Sequence, residues 1–502
     1  MLKARVIADA DFAISAVDPR IYGSFVEHLG RCVYGGIYEP DHETADENGF
    51  RQDVLDLTRE LGVTIVRYPG GNFVSGYNWE DGIGPKEDRP VRLDLAWGST
   101  ETNQFGTNEF MVWCDKADVE PMFAVNLGTR GPSEAQNFLE YCNHPGGTLH
   151  ADMRRGHGVD KPHGIKFWCL GNEMDGPWQT CAKTAAEYGR IAAETAKVMR
   201  WTDPDVELAV CGSSHREMPT YGAWEYEVLD HTFEHVNYIS LHQYFENHEN
   251  EVDRFLTVID DLDAFISEVV SIADSVAAKR RSGKRIMLSL DEWNVWYRAR
   301  SGSDLRAENW ETAPHLLEEV YNFEDALVVG GALLTMMNHA DRVKAACIAQ
   351  LVNVIGPIMT ETGGPAWRQT IFHPFAQASR FGRGNALRCK VETETFAAGN
   401  HDAAPLLLIA VVHDPDTGSA AIFALNRSQD QEMALSVDLR NMGSRLLSHT
   451  FELHHDDIKA TNDRDNPNCV QPREHGHTRI ELNCLDAILK PLSWNVFVTC
   501  LQ

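Results

Sequence analysis

Several signatures that usually announce a chemistry are missing from this sequence. Its 11 cysteines are odd in number and contain no CxxC pair, so neither a redox dithiol nor a zinc knuckle is spelled out. They stand singly in apolar segments, as at Cys169, Cys211 and Cys347, the pattern of reduced, buried thiols in a cytoplasmic protein. There is no HExxH. The histidines of HHDDIK (454–459) and HGH (475–477) lack ligand spacing and read as surface residues, so no metal is expected. The absence of GxSxG argues against a serine hydrolase. No GxGxxG follows an early strand, which removes support for a doubly wound nucleotide fold, and no other feature implies a cofactor. The glycine-rich YPGGN (68–72) lacks the P-loop lysine and reads as a tight strand-end turn.

Long apolar runs are also scarce. The longest, ALVVGGALLTMM at 326–337, is too short to span a bilayer. The first residues, MLKARVIADADF, hold no apolar core of the size a secretory signal needs. Basic residues are in deficit, 45 against 74 acidic, for a formal charge of −29. Such a chain repels nucleic acid and anionic membranes and suits a neutral substrate. There is no internal repeat and no low-complexity linker. The expectation is a soluble, cytoplasmic protein.

What is present is a core-forming composition, 43% hydrophobic over 502 residues, with strand-like and helix-like segments in alternation. Strand candidates fall at 21–29, 63–71, 120–128, 165–173, 206–214, 237–244, 285–293 and 344–352. Most are short apolar runs, as expected of strands buried on both faces. DVLDLTRELG (53–62) places Val54, Leu57 and Leu61 on one helical face and ends at Gly62, a natural cap. Thr184 and Glu187 form a capping box ahead of another helical pattern. Eight strands interleaved with helices predict an α/β architecture, the (β/α)8 TIM barrel. After about residue 385 the texture becomes all-β, beginning with two strand-like runs around a Pro-Asp-Thr-Gly turn (415–418). The first residues are strand-like too. The expected organisation is a barrel over 19–385 and a jelly-roll-like β-sandwich over 386–502, joined by residues 1–18, so that both termini build the sandwich.

Active sites of such barrels lie at the carboxyl ends of the strands. Strand by strand, those ends offer Glu27 and His28, then Arg67 and Asn72, then Asn172 and Glu173. Further on come His242 and Tyr244, Asp291 and Glu292, and Gln350. Trp97, Trp178 and Trp296 lie near several of them. Each has a duller account by itself: a glutamate after a strand is usually a solvated loop residue, an arginine a structural ion-pair partner, a tryptophan core. Their coincidence at six of eight strand ends does not. A ring of carboxylates, amides and indoles suits a sugar. Two glutamates on different strands suit glycosidic hydrolysis, in which one carboxyl protonates the leaving oxygen and the other attacks the anomeric carbon. Mutual repulsion helps keep the acid protonated. Asp175, close to Glu173, reads as a loop residue.

The motifs GSFVEHLGRCVYGGIYEP, VRYPGGNFVSGYNWEDGIGP, WCLGNEMDGPWQ, SLHQY and LDEWNVWY, in order across nearly the whole chain, resemble the α-L-arabinofuranosidases of glycoside hydrolase family 51. The resemblance implies a retaining, exo-acting enzyme on arabinan- or arabinoxylan-derived oligosaccharides. It implies Glu173 as general acid/base and Glu292 as nucleophile. Glu27, Arg67, Asn72, Asn172, His242, Tyr244 and Gln350 are expected around the arabinofuranosyl ring, and Trp97, Trp178 and Trp296 at its rim. It further implies a homo-oligomer, a hexamer. Linkage preference among 1,2, 1,3 and 1,5 bonds is not set by these motifs, and FENHEN after Tyr244 departs from the family's usual turn.

Overall fold

The computed structural model describes residues 1–297 and 306–502. Eight strands close into a barrel: β1 (Gly23–Phe25), β2 (Ile65–Tyr68), β3 (Glu120–Val125), β4 (Phe167–Leu170), β5 (Glu207–Val210), β6 (Tyr238–Phe245), β7 (Met287–Val295) and β8 (Val343–Ile348). They follow one another around the barrel in chain order, every pairing parallel. Each overlaps a segment marked by its apolar run, although all but β6 and β7 are shorter than those segments. β2 and β4 are buried at every position, because parallel strands have helices on one side and the barrel interior on the other.

The helices follow their local signals. Gln52–Leu61 buries Val54, Leu57 and Leu61, and Gly62 ends it at φ 76°, where its N–H reaches the carbonyls of Thr58 and Arg59. A left-handed residue there is what glycine supplies at least cost. Ala185–Thr202 starts at the Thr184–Glu187 capping box. The amino ends of the strands are clasped by Arg20, which forks onto Glu120 of β3 (2.6 and 2.7 Å) and reaches Glu207 of β5 (3.0 Å). No helix among the described residues is long and apolar enough to cross a membrane.

Strands from both ends of the chain form the sandwich. One sheet runs Lys390–Glu392, Leu2–Asp9, Met433–Arg440, Cys484–Leu489 and Thr478–Glu481, with Leu2–Asp9 parallel to Met433–Arg440. The other holds Ala13–Ala16, Asn385–Leu387, Leu407–Asp414, Ser419–Asn426, Ser493–Leu501, Arg445–Leu453 and Arg473–Glu474. Leu2, Ala4, Val6 and Ala8 alternate inward and pack with Val411, Ile422, Val437 and Phe497. The Pro-Asp-Thr-Gly segment makes the hairpin turn between Asp414 and Ser419, with Gly418 at φ 68°. One expectation changes here. His475 is buried, packed edge-on against Phe497 at 5.1 Å, and His454 and His455 are half-buried, so these are not simple surface histidines. The all-β part makes its own polar contacts with them, as in the Thr478 Oγ1–His475 Nδ1 bond (2.7 Å).

The run 326–337 lies in the helix Phe323–Asn338, which is apolar all round because it is covered on both sides. One side faces the barrel and the other the sandwich. Gly330 lets Trp494 of the sandwich come close; a Cβ there would stand 2.7 Å from the indole. Trp494 is fully buried and donates from Nε1 to Gln377 (2.8 Å). Replacing it by alanine, Trp494→Ala, is expected to cost about 3–5 kcal/mol through the cavity left at the junction. The check is a lowered thermal midpoint with the barrel's secondary structure retained at room temperature.

Candidate active site

The carboxyl ends of the strands open on a cavity of about 430 Å³. Glu173 and Glu292 face it, together with Glu27, Asn72, Trp97, Trp178, Tyr244, Trp296 and Gln350. Asn172, Arg67 and His242 are buried at the same strand ends.

Glu173 reaches the cavity through a strained turn. β4 ends at Leu170, Gly171 turns at φ 92°, and Glu173 itself sits at φ 44°, an uncommon conformation for a residue with a side chain. Asp175 anchors the turn: its carboxylate accepts from Ser214 N (3.1 Å) and Ser214 Oγ. Burial pushes the Asp175 carboxyl up to about 6, against the Ser214 bonds and aided by the charge of Glu173. Asp175 is therefore a loop residue with a definite task. Glu173 accepts from Trp178 Nε1 at Oε2 (2.7 Å) and meets His242 Nδ1 at Oε1 (2.9 Å).

Glu292 depends on an irregularity in β7. Along β7, Leu290 to Trp293 spans three steps while the partner residues on β8, Ala346 to Ile348, span two. Against β6, Ser289 to Glu292 spans three steps while Ser240 to His242 spans two. The extra residue is a β-bulge, which re-aims side chains. As a result the consecutive residues Asp291 and Glu292 both contact groups at the barrel's interior instead of alternating across the strand. Glu292 accepts from Arg67 Nη1 at Oε1 (2.6 Å) and from Tyr244 Oη at Oε2 (2.9 Å). Arg67 gives its other arm to Asn172 Oδ1 (2.6 Å) and lies 4.7 Å from the centre of the Phe25 ring. Burial disfavours the guanidinium charge, yet Asp291 and Glu292 overcome this and hold its pKa well above the usual arginine value. Glycines make room: a Cβ on Gly71 would lie 2.8 Å from Glu292 Oε1, and one on Gly70 would lie 2.6 Å from Glu27 Cγ.

Glu27, two residues past β1, accepts from Phe73 N (3.0 Å), Trp97 Nε1 (3.1 Å) and Gln350 Nε2 (3.0 Å). Burial pushes its carboxyl up to about 8, opposed by the Phe73 N–H and reinforced by the charge of Glu292. Trp97 is carried by the hairpin Arg92–Asp94/Ser99–Glu101, on which the segment 307–311 docks through Ala307 N–Trp97 O (2.8 Å) and Thr100 N–Glu311 O (3.0 Å). Trp296 meets Tyr244 edge-on at 5.1 Å. Two buried polar atoms of the site, Asn172 Nδ2 and Gln350 Oε1, have no hydrogen-bond partner among the described residues. A buried polar atom in this condition is costly unless a ligand completes it, and sugar hydroxyls both donate and accept.

His242 differs from expectation. It is wedged between carboxylates, Nδ1 on Glu173 Oε1 (2.9 Å) and Nε2 on Asp291 Oδ1 (3.0 Å), and does not line the cavity where a sugar would lie. Burial pulls its pKa down, but the charge of Glu292 and the bonds to Asp291 and Glu173 outweigh it and carry the imidazole to about 10. With both ring nitrogens donating to carboxylates, the group shares protons. One oxygen of Glu173, one of Glu292 and a ring nitrogen of His242 all lie within 4.8 Å of one another. Gly71 and the apolar wall of Leu29, Leu317 and Ile355 are not legible in the sequence as site residues, since each gains its place from a loop that no local pattern announces.

Known proteins carry the same arrangement of chain. Residues 57–259 match the model of an α-L-arabinofuranosidase 1 domain, and residues 291–493 that of an α-L-arabinofuranosidase C-terminal domain. The chain is 55% identical over 496 residues to a protein of Bacillus subtilis (strain 168) named intracellular exo-α-(1→5)-L-arabinofuranosidase 1, covering 99% of each. It is 47% identical over 503 residues to a Bifidobacterium longum protein named exo-α-(1→6)-L-arabinofuranosidase, covering 98% of this chain and 96% of that one. A solved structure described as a family 51 α-L-arabinofuranosidase from Bifidobacterium longum superposes with a TM-score of 0.96 at 44% identity, covering 99% of both chains. Full-length relatives of this identity, on a closed barrel whose mouth holds paired glutamates, place the matter beyond fold likeness: the chain belongs to glycoside hydrolase family 51, the retaining α-L-arabinofuranosidases.

Proposed function

We propose that this protein removes terminal, non-reducing α-L-arabinofuranosyl residues from arabinan- or arabinoxylan-derived oligosaccharides inside the cell, by double displacement. The observation that carries the reading is the approach of one oxygen of Glu173 to one of Glu292 within 4.8 Å. In retaining pairs the carboxyls stand about 5–5.5 Å apart and one of them attacks the sugar directly, whereas inverting pairs stand about 6.5–9.5 Å apart to admit a water. Relatives named for exo action support cleavage at the terminal residue.

Glu292 is the nucleophile in this scheme. Arg67 and Tyr244 hold its carboxylate by donating to both oxygens and aim it at the anomeric carbon. Glu173 is the acid, giving its proton to the departing glycosidic oxygen and then, as base, taking one from the water that cleaves the glycosyl ester. Asn172, braced by Arg67 through Oδ1, offers Nδ2 to the ring's 2-hydroxyl, a bond that strengthens as oxocarbenium character develops. Glu27, Asn72 and Gln350 take the remaining hydroxyls, and Trp97, Trp178 and Trp296 shape the rim. Relatives named for an intracellular enzyme support the location. Relatives are named for both (1→5) and (1→6) bonds, so linkage is to be read from products on defined oligosaccharides. The family resemblance also supports a homo-oligomer, a hexamer, which light scattering in solution tests. The division of the chain at residues 18 and 385 belongs to the same reading.

An aryl α-L-arabinofuranoside assay tests the activity: release is expected, and release from an aryl β-xyloside instead would assign a different glycosidase. Glu292→Ala is expected to abolish turnover, with azide restoring formation of an inverted glycosyl azide. Glu173→Ala is expected to lower kcat by about 10²–10⁴ on leaving groups that need a proton, while a dinitrophenyl arabinofuranoside still glycosylates the enzyme. If both variants slow all substrates alike, the roles are misassigned. Gly71→Ala tests the geometry: shifting the Glu292 carboxylate is expected to cut kcat about 10- to 100-fold with the thermal midpoint little changed.

A further inference from the structure

We infer that Asp291 is a positioning residue for the reaction: through Nε2 of His242 its carboxylate fixes the imidazole as a two-proton donor that holds Glu173, and so sets where in pH the acid gives up its proton. This rests on the reading of Glu173 as acid/base. Asp291 is 1% exposed and lies next to Glu292 in sequence, brought to the interior by the bulge in β7. It does not itself line the cavity; its hydrogen-bonded path to Glu173 is His242, which spans 3.0 Å to Asp291 and 2.9 Å to Glu173. Nδ1 of the same ring is 3.6 Å from Glu292 Oε2, so one imidazole touches every carboxylate of the cluster.

A charge count shows what Asp291 is for. In the resting enzyme Glu173 carries a proton, Glu292 and Asp291 are anions, and Arg67 and His242 are cations: the cluster is neutral. In the first step the anomeric carbon's bond to the leaving oxygen breaks as Glu292 supplies an electron pair to that carbon, and the Glu173 proton moves to the departing oxygen. Glu292 is now a neutral ester and Glu173 an anion, and the cluster is neutral again. Hydrolysis of the ester reverses both changes. Asp291 is thus the fixed negative charge that lets the other two glutamates exchange roles with no net charge building up in a buried site, where such a charge is costly.

The other titratable groups facing His242 and Asp291 do not disturb the count. Cys169 on β4 donates weakly to Asp291 (3.6 Å), and burial keeps its thiol neutral, as it does Cys211 after β5 and Cys347 on β8. Tyr244 on β6 stays protonated for the same reason, and Glu27 is neutral below about 8.

Asp291→Asn removes the charge while retaining shape. The cluster then carries one excess positive charge whenever Glu173 and His242 are both protonated, which makes loss of a proton easier. The alkaline limb of kcat/KM is expected to move toward acid by about one pH unit or more on an aryl arabinofuranoside whose leaving group needs protonation, and by less on the dinitrophenyl substrate. A uniform loss on both substrates with the limb in place overturns the proposal. Should Asp291→Asn fail to fold, the unaltered protein carries the test. With 15N-labelled histidine, the His242 signal, assigned by its loss in His242→Gln, is expected to show both ring nitrogens protonated from about pH 6 to about pH 9. Titration of that signal near the ordinary histidine value, about 6.5, overturns it. Failure of the acid/base reading itself would show separately, as a loss in Glu173→Ala that does not depend on the leaving group, while the His242 signal of the unaltered protein kept both ring nitrogens protonated.

Discussion

The structure turns on keeping several carboxyl groups together in a place nearly closed to water. Ionised carboxylates are expensive to bury, and removing one partner of a buried pair strands the other. Here the solution is two cations threaded between them. Arg67, 1% exposed, grips Glu292 with one arm and Asn172 with the other, and the imidazole of His242 lies between Glu173 and Asp291. The rest of the barrel can be understood as what delivers those two cations to that point: β2 brings Arg67, β6 brings His242 and Tyr244, and β7 is distorted to bring two adjacent carboxylates to the same side. Closure of the sheet fixes distances that no isolated hairpin or loop would hold.

Much of this could be anticipated from sequence, and for identifiable reasons. Short apolar runs separated by amphipathic helices signal strands buried on both faces, and all eight overlap barrel strands. Turn chemistry is equally readable, as at Gly62, the Pro-Asp-Thr-Gly turn and the Thr184–Glu187 capping box. The polar residues at strand ends were visible because a barrel's geometry says where to look. What escaped was anything set by register or by distant packing. Period-two reasoning sends Asp291 to the opposite face from Glu292, and only the register shift against β6 and β8 reverses that. His242 stands among the polar strand-end residues that suit a sugar, but the carboxylates on either side of it claim both nitrogens. His475 looks like a surface residue in sequence because no local pattern reveals the Phe497 ring packed against it.

The junction between barrel and sandwich shows the same logic. An apolar run that is too short to span a membrane and apolar on every side needs cover on every side. Phe323–Asn338 obtains it from Ile259 of the barrel's helical layer at Gly331 and from Trp494 of the sandwich at Gly330. The sandwich therefore completes the outer layer of the barrel, and the first strand of the chain is pinned by strands near its end.

The placement of Trp97 separates two kinds of inheritance. The reacting pair is held by strands and by the turn at Glu173, whereas Trp97 arrives on a hairpin whose position depends on contacts with the segment 307–311, some two hundred residues away in sequence. Substitutions in either loop can redraw the mouth of the cavity without touching the residues that break the bond. For a lineage of such enzymes, a new oligosaccharide becomes accessible through loop change alone, with the chemistry carried forward intact.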